Sequence, residues 1–371
     1  MGTLILHAGM PKAGSSSIQS WLAESAGDLR DRHGVATAVA RVQRTVGQPD
    51  ELRLLIYQPR ETPKKTMEGR TQQAKDLQRE AQRVNSAPFI RAFTRTRGAG
   101  PDEAILASFV EQLDALAEQH PRIVVSCEGF GSLLAASGRF RAFIDALEQL
   151  TRRHQVRVAY YVRPQHSALE ASWRQWGFRS PTRPSVWLTA KSGELHYLRT
   201  LSTMNSVAPH VSFEVRPFRS DLLYLQSPVA DFAEHFLGAG EYAAGFRDTS
   251  VNVGLPLELV IALRDGPAEL IGRDMHDNRG IRRVQKLFGD MRVEPDARIA
   301  RSRTVLQAYC HDRFEAENVE LFAALGWEAS EFVPPVELTE WDLREIDSGW
   351  RPYASEAERA FLYKAILAAI S

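Results

Sequence analysis

The most constraining feature of this chain is its beginning, where an apolar run is followed at once by a loop rich in glycine and serine. The run Thr3–Leu6 predicts a buried strand. The loop that follows contains Gly9 and Gly14, and a helical apolar pattern starts at Ile18. A strand, a glycine loop and a helix in this order predict a phosphate-binding corner, because glycines let the backbone approach an anion and a helix start offers unpaired N–H groups.

The loop differs from the ATP-binding loop G-x-x-x-x-G-K-[ST] in the position of its charge. In this frame Ser15 stands where the ATP loop has its lysine, and the lysine of this loop is Lys12. The hydroxyl groups of Ser15, Ser16 and Ser17 are therefore the expected ligands of a terminal phosphate. A serine-rich helix cap without a ligand is the structural alternative, because serine is a preferred cap residue.

The run Pro11–Gln19, which reads P-K-A-G-S-S-S-I-Q, resembles the 5′-phosphosulfate loop of the P-loop sulfotransferase family, which usually reads P-K-T-G-T-T-S-L-Q. Ser15 and Ser16 replace the two threonines that follow the glycine in the family loop, so both positions keep a hydroxyl group. The resemblance implies that 3′-phosphoadenosine 5′-phosphosulfate (PAPS) binds as co-substrate, that PAP is the product, and that no metal is required. It also implies that Lys12, Ala13, Gly14 and Ser15–Ser17 hold the nucleotide, with Lys12 neutralising charge on the leaving oxygen.

The composition is that of a globular protein with room for one large α/β domain or two ordinary ones. The chain has 371 residues, of which 44% are hydrophobic and 25% charged, with a formal net charge of zero. A neutral chain is not expected to bind nucleic acid or an anionic membrane in general. We expect a cytoplasmic protein, because the two cysteines form no disulfide framework, no run has the length of a membrane span, and the first strand leaves no space for a signal peptide. Golgi-resident members of the family carry a membrane anchor, so the chain resembles the soluble bacterial members.

Strand and helix patterns alternate along the first two thirds of the chain. Short apolar runs predict buried strands at Arg122–Cys127, Val156–Val162 and Val211–Val215. Helical patterns cover residues 16–26, 138–153, 165–177 and 188–204. The sequence therefore predicts an α/β fold of the P-loop nucleotide-binding type, with a parallel sheet flanked by helices and ligands bound at the carboxyl ends of the strands.

We expect residues 1–255 to form the PAPS-binding α/β core and residues 256–371 to form a helical C-terminal portion packed on it. The resemblance to the family extends over residues 1–220. Within the core, residues 40–100 are irregular and polar, with basic residues crowded between Arg60 and Arg97. This basic excursion is either a solvated charged face or a flap that binds an acidic or sugar acceptor.

Glu128 directly follows the apolar run at 122–127. A glutamate at this edge can serve as a general base if burial keeps its pKa high and an acceptor hydroxyl comes within hydrogen-bond reach. In glycan sulfotransferases the base is commonly a glutamate at a strand end ahead of the second ligand motif, and Glu128 resembles it. Two other interpretations stay open, a metal-binding acid of the Walker B kind and a plain acid at a helix start.

Arg163 follows the strand at 156–162 and resembles the arginine of the family's 3′-phosphate motif. The guanidinium group suits a phosphomonoester because its N–H groups form a fixed fork. The family usually has a serine eight residues after this arginine, whereas here Ser172 lies nine residues after it. One residue turns a helix by about 100°, so Arg163 is the firmer assignment, Ser172 the second, and Ser167 a weaker substitute.

The segments Val215–Phe218 and Thr249–Asn252 also resemble parts of soluble bacterial members of the family, without an assignable role. The function expected from the resemblance is sulfuryl transfer from PAPS to an acceptor hydroxyl, on a carbohydrate or a glycolipid. An ATP/Mg²⁺-dependent small-molecule kinase and a non-catalytic nucleotide-binding protein with a P-loop are the alternatives. No cluster of histidine, cysteine and aspartate has metal-ligand spacing.

Overall fold

The computed structural model describes residues 1–9, 13–43, 51–58, 79–80, 82–87, 89–90, 103–135, 141–177, 180, 182–246, 257, 260–261, 297–328, 332, 336, 338 and 340–350. The chain forms two compact units. The first comprises Met1–Arg163 and His196–Val251, and the second comprises Pro164–Leu195 and Asn252–Ser371. The division of the chain therefore falls directly after Arg163, and the helix that follows it belongs to the second unit.

The first unit is built on a mostly parallel sheet of six strands: β1 (Thr3–His7), β2 (Val35–Gln43), β3 (Glu51–Ile56), β4 (Arg122–Ser126), β5 (Gln155–Val162) and β6 (Ser212–Pro217). Their order across the sheet is β3-β2-β4-β1-β5-β6. Only the pairing of β2 with β3 is antiparallel among these strands. The chain therefore has an α/β fold, as the apolar runs predict.

Helices flank this sheet in the first unit: α1 (Ser15–Glu24), α2 (Ala26–His33), α3 (Glu103–Gln119), α4 (Gly129–Ala135), α5 (Arg141–Leu150), α8 (Tyr197–Val207), α9 (Pro228–Phe232) and α10 (Gly240–Ala244). After α9 the chain continues as a π-helical turn over Ala233–Leu237. The second unit contains α6 (Gln165–Gln175), α7 (Pro184–Ser192), α11 (Ala297–Leu325) and α12 (Glu345–Gly349). None of the helices in the described ranges is long and apolar enough to cross a membrane.

The centre of the sheet brings three strand ends together. Strand β1 lies between β4 and β5 and runs parallel to both, and His7 at its end is in register with Ser126 and Ala159. Leu4 and Ile5 are fully buried, because a central parallel strand is covered by helices on both faces. The segments that follow β1, β4 and β5 consequently leave the sheet along one edge.

Helices α3, α4 and α5 cover one face of the sheet through an aromatic cluster of Phe89, Phe109, Phe130 and Phe143. Each of these rings is 1% exposed or less. The ring centroids of Phe89 and Phe109 are 4.1 Å apart, and those of Phe130 and Phe143 are 5.6 Å apart. Through Phe130, the cluster packs helix Gly129–Ala135, which begins just after the end of β4, onto the core.

Polar pairs, one buried and one partly buried, join the helices of the second unit. Gln165 Nε2 donates to Asn318 Oδ1 at 2.8 Å, which links α6 to α11. The Ser185 hydroxyl donates to Asp347 at 2.7 Å, which links α7 to α12. The indole rings of Trp173 and Trp350 are both buried, and their centroids are 4.6 Å apart. The described part of the C-terminal portion is helical, as expected from its apolar stripes.

The structure differs from two expectations drawn from the sequence, and a third falls mostly outside the described residues. Residues 40–100 are not wholly irregular, because β2 extends to Gln43 and β3 spans Glu51–Ile56. The predicted helix at 188–204 is wrong as one element: α7 ends at Ser192, a 3₁₀ turn follows at Gly193–Leu195, and α8 starts at Tyr197. Glycine costs a helix interior up to about 1 kcal/mol, which favours a break there. Most of the basic excursion between 60 and 97 lies outside the described residues.

Replacement of Phe109 by alanine tests the aromatic cluster. Phe109→Ala is expected to lower the free energy of unfolding by about 3–5 kcal/mol, because the buried ring leaves a cavity among its neighbours. Chemical denaturation followed by circular dichroism measures this change. Val319→Ala is the control, since Val319 is 53% exposed and surface changes are usually within about 0.5 kcal/mol. Equal stability of the two variants would contradict the assigned core.

Candidate functional site

The glycine loop ends in a left-handed corner at Gly14. Its φ is 73° and ψ is 6°, and α1 begins at the next residue. The Gly14 carbonyl accepts the N–H groups of Ser17 and Ile18, at 3.0 and 3.1 Å, which starts the helix. A glycine at this position supplies no side-chain cap, and the first turn of α1 has no acidic residue. Helix starts of this kind favour a negatively charged group.

The side chains of Phe218 and Pro228, together called the wall, pack against the Gly14 corner. A Cβ atom built on Gly14 would lie 2.8 Å from Phe218 Cε2 and 2.9 Å from Pro228 Cβ. Glycine is therefore required at position 14 for two independent reasons, the positive φ and the close approach of this wall. Ala13 beside it is fully buried and Ser15 is 3% exposed, whereas Ser16 and Ser17 are partly exposed.

A buried carboxylate fixes the helix that carries Pro228. Asp231 is fully buried, and its oxygens accept from Arg216 Nη2 at 2.6 Å and from the Tyr161 hydroxyl at 2.9 Å. The backbone N–H of Tyr224 donates to it at 3.0 Å. Burial, followed by the charge of Asp231, raises the pKa of Tyr161. This network joins β5, β6 and α9 into one support for the wall.

Arg163 lies next to this wall at the end of β5. Its Cζ atom is 5.8 Å from the centroid of the Phe218 ring, so one aromatic ring contacts both Gly14 and the arginine. The Arg163 carbonyl accepts from the Tyr197 hydroxyl at 2.8 Å, and Tyr197 is fully buried. The backbone at Arg163 is thereby held while its side chain remains partly exposed. The structure brings Gly14 and Arg163 to the same edge of the first unit.

Glu128 stands where β4 leads into α4, beside the start of the glycine loop. The N–H of Cys127 donates to the carbonyl of His7 at 3.1 Å. A Cβ atom built on Gly131 would lie 2.9 Å from the Gly9 carbonyl oxygen. The turn that carries Glu128 is therefore hydrogen-bonded to the end of β1 before it, and the residues after it pack closely against Gly9. The glutamate is partly exposed.

His7 closes β1 beneath the loop and is fully buried. Its Nδ1 lies 2.8 Å from the Ser126 hydroxyl oxygen, which ties the ends of β1 and β4 together. Burial lowers the pKa of His7 to about 3, because the charged imidazole would be separated from water. The ring is therefore neutral near pH 7 and is not a cation that attracts a phosphate.

The remaining candidate residues lie either in the second unit or outside the described residues. Ser172 is 8% exposed and belongs to α6 of the second unit, as does Ser167. Arg163 ends the first unit, so the expected pair of Arg163 and Ser172 is divided between the units. Lys12 and Asn252 lie outside the described residues. The assignments of Lys12 and Ser172 stay predictions from the sequence.

The sequence indicates a structural role for His7, which the structure confirms as a buried support. It does not reveal three other residues that shape the site: Phe218 and Pro228 as the wall, and Asp231 as the wall's anchor. The segment Val215–Phe218 was a signal, since it resembles a family segment. The structure shows what it does: Arg216 pairs with Asp231 and Phe218 contacts Gly14. The long separation of these partners along the chain is why no local pattern reveals their contact.

Within the described ranges, no group of three or more histidine, cysteine, aspartate or glutamate side chains is arranged to hold a metal ion. The chain matches no known protein-family model, no curated protein and no solved structure.

Replacement of Gly14 tests the corner. Gly14→Ala is expected to destabilise the protein by about 1–3 kcal/mol, because the new Cβ meets Phe218 and Pro228 and the positive φ disfavours alanine. Thermal and chemical unfolding measure the loss. Gly27→Ala is the matched control, since nothing lies within 4 Å of its Cβ position and alanine is the better helix former. Equal destabilisation by both changes would contradict the packed corner.

Proposed function

We propose that this protein is a PAPS-dependent sulfotransferase that transfers a sulfuryl group to an acceptor hydroxyl on a carbohydrate or glycolipid. The observation that carries the proposal is the arrangement around Phe218, whose ring contacts both the Gly14 corner and Arg163. Two anion-binding features of different kinds thus lie on one edge of the sheet. A nucleotide with a phosphate at its 5′ end and another at its 3′ position suits such a pair.

Each end of the nucleotide has a matching group. The first turn of α1 and the hydroxyls of Ser15–Ser17 suit the 5′-phosphate, because a helix N-terminus offers N–H donors and a partial positive charge. Arg163 suits the 3′-phosphate, because a guanidinium fork binds phosphate oxygens through two parallel hydrogen bonds. Ser172 is the second candidate for that phosphate, on the sequence resemblance alone.

The reaction needs one proton acceptor and one group that stabilises the leaving phosphate. The acceptor oxygen forms a bond to sulfur while the bond from sulfur to the bridging oxygen of the 5′-phosphate breaks. Glu128 takes the proton of the acceptor hydroxyl, and PAP leaves with the bridging electron pair. Lys12 neutralises the charge that grows on that oxygen, an interaction typically worth several kcal/mol.

The charge of the transferred group distinguishes this reaction from phosphoryl transfer. A sulfuryl group carries less negative charge than a γ-phosphoryl group, so a lysine and N–H donors suffice in this proposal where kinases use Mg²⁺. We also propose a cytoplasmic location. Cys127 and Cys310 are buried and form no disulfide, which suits a reducing compartment.

Nucleotide binding is the first test. PAP without metal is expected to raise the melting temperature, because a ligand at about 100 times its Kd stabilises the folded state by about 2.7 kcal/mol. Arg163→Ala should weaken PAP binding about tenfold or more, and Arg163→Lys should weaken it less, since lysine keeps the charge but loses the fork. Titration calorimetry measures both affinities.

The control for this test is Arg152→Ala, which removes an exposed arginine three residues before β5 begins, at the opposite edge of the sheet. It should leave PAP affinity unchanged. Stabilisation by ATP only in the presence of Mg²⁺ would instead support a small-molecule kinase. Binding of PAP without sulfation of any hydroxyl acceptor would support a non-catalytic nucleotide-binding protein.

The roles of Glu128 and Lys12 are separable by kinetics. Glu128→Gln should reduce kcat by about 10²-fold or more and leave PAP affinity near normal, because general-base catalysis typically contributes that much. Lys12→Ala should remove most of the turnover. Initial-rate assays with PAPS measure both changes, and Glu111→Gln, on the exposed side of α3, is the control. Near-normal turnover in either variant would remove that residue from the mechanism.

A further inference from the structure

The imidazole of His7 has one ring nitrogen with a partner and one without. Nδ1 is 2.8 Å from the Ser126 hydroxyl oxygen, and both residues are fully buried. Nε2 has no hydrogen-bond partner among the described residues. A buried polar atom without a partner costs about 1–3 kcal/mol, and in a native protein such an atom points to a ligand, a water or a catalytic use.

The unpartnered Nε2 faces the glycine loop. A Cβ atom built on Gly9 would lie 3.4 Å from Nε2 and 2.9 Å from Ser15 Cβ. The Nε2 side of the ring is thus directed at the place where Gly9, after β1, closely approaches Ser15 at the start of α1. On its other sides the ring packs near Phe232 and Tyr161, with centroids 5.1 and 6.1 Å away, so it cannot easily turn elsewhere.

We propose that His7 Nε2–H is a further hydrogen-bond donor of the anion site, acting on the 5′-phosphate from beneath the loop, directly or through one ordered water. Ser126 sets this role by donating its hydroxyl hydrogen to Nδ1, which leaves the ring hydrogen on Nε2. The inference rests on the proposed function, because it assigns His7 to the same phosphate. It adds a donor that is not on the helix and not on the loop.

The chemistry of the ring fits an uncharged donor. Burial keeps the pKa of His7 far below neutrality, so the donor does not depend on protonation of the imidazole in the physiological range. The register of the sheet fixes the geometry, since His7 and Ser126 are paired residues of adjacent parallel strands. Ser126 is also two residues before Glu128, the residue proposed as base.

Two substitutions separate the two ring nitrogens. Asparagine places an amide near the position of Nδ1, and glutamine places one near the position of Nε2. His7→Gln is therefore expected to keep PAP affinity within about threefold, whereas His7→Asn should weaken it about tenfold or more, as for loss of a hydrogen bond to a charged group. Titration calorimetry with PAP, and with inorganic phosphate as the smaller probe, measures both. Equal affinity of His7→Asn and the unchanged protein overturns the inference.

The tautomer gives a second measurement that needs no ligand and no substitution at His7. Nitrogen NMR of the protein with labelled histidine is expected to show the ring hydrogen on Nε2 and a hydrogen-bond acceptor at Nδ1. A hydrogen on Nδ1 overturns the inference even if both variants at position 7 fail to fold. As a single change, Ser126→Ala should weaken PAP binding. Combined with His7→Gln it should cause no further loss, because Ser126 is proposed to act through His7.

The result for the unchanged protein separates this inference from the proposed function. If it binds neither PAP nor inorganic phosphate, the proposed function is overturned and the donor role with it. If it binds PAP and His7→Asn binds equally well, the proposed function stands and only the role of His7 is overturned. Weak binding by His7→Asn together with recovery in His7→Gln supports both.

Discussion

The corner at Gly14 is the constraint on which the site depends. A backbone with φ of 73° turns the loop into α1, and the wall of Phe218 and Pro228 closes on the same atom position from outside. Because no side chain fits there, the N-cap residue cannot cap α1 with a side chain of its own. The proposed anion site depends on this corner, because a helix N-terminus favours an anion.

The parallel sheet explains why the other candidate residues meet this corner. Strand β1 lies between β4 and β5, so the segments after all three strands leave along one edge. Chain connections from neighbouring strands depart in different directions at such a position, which opens a crevice at the carboxyl ends. Glu128 follows β4, Arg163 follows β5, and the buried Asp231 anchors the wall that contacts Gly14. The site is thus assembled by strand order.

The fold class was predictable because the central strands are short, apolar and buried on both faces, and their β-branched runs identify them without any tertiary information. Strands β2 and β3 were not predicted. The buried part of β2 is rich in alanine, a weak strand former, and β3 is an edge strand whose alternate residues are exposed. Its edge is covered from a distant helix, where Gln112 pairs with the backbone of Leu52 and Leu54.

By itself the sequence determined the central apolar strands and the glycine loop that follows β1, and it singled out the candidate positions at Gly14, Glu128 and Arg163, because each depends on a local pattern of apolar, glycine and charged residues. The tertiary structure alone decided which distant residues meet them. Phe218 and Pro228 reach Gly14 across more than 200 positions of chain, and Ser126 reaches His7 across 119. Such contacts follow from strand order and register, which no local spacing contains.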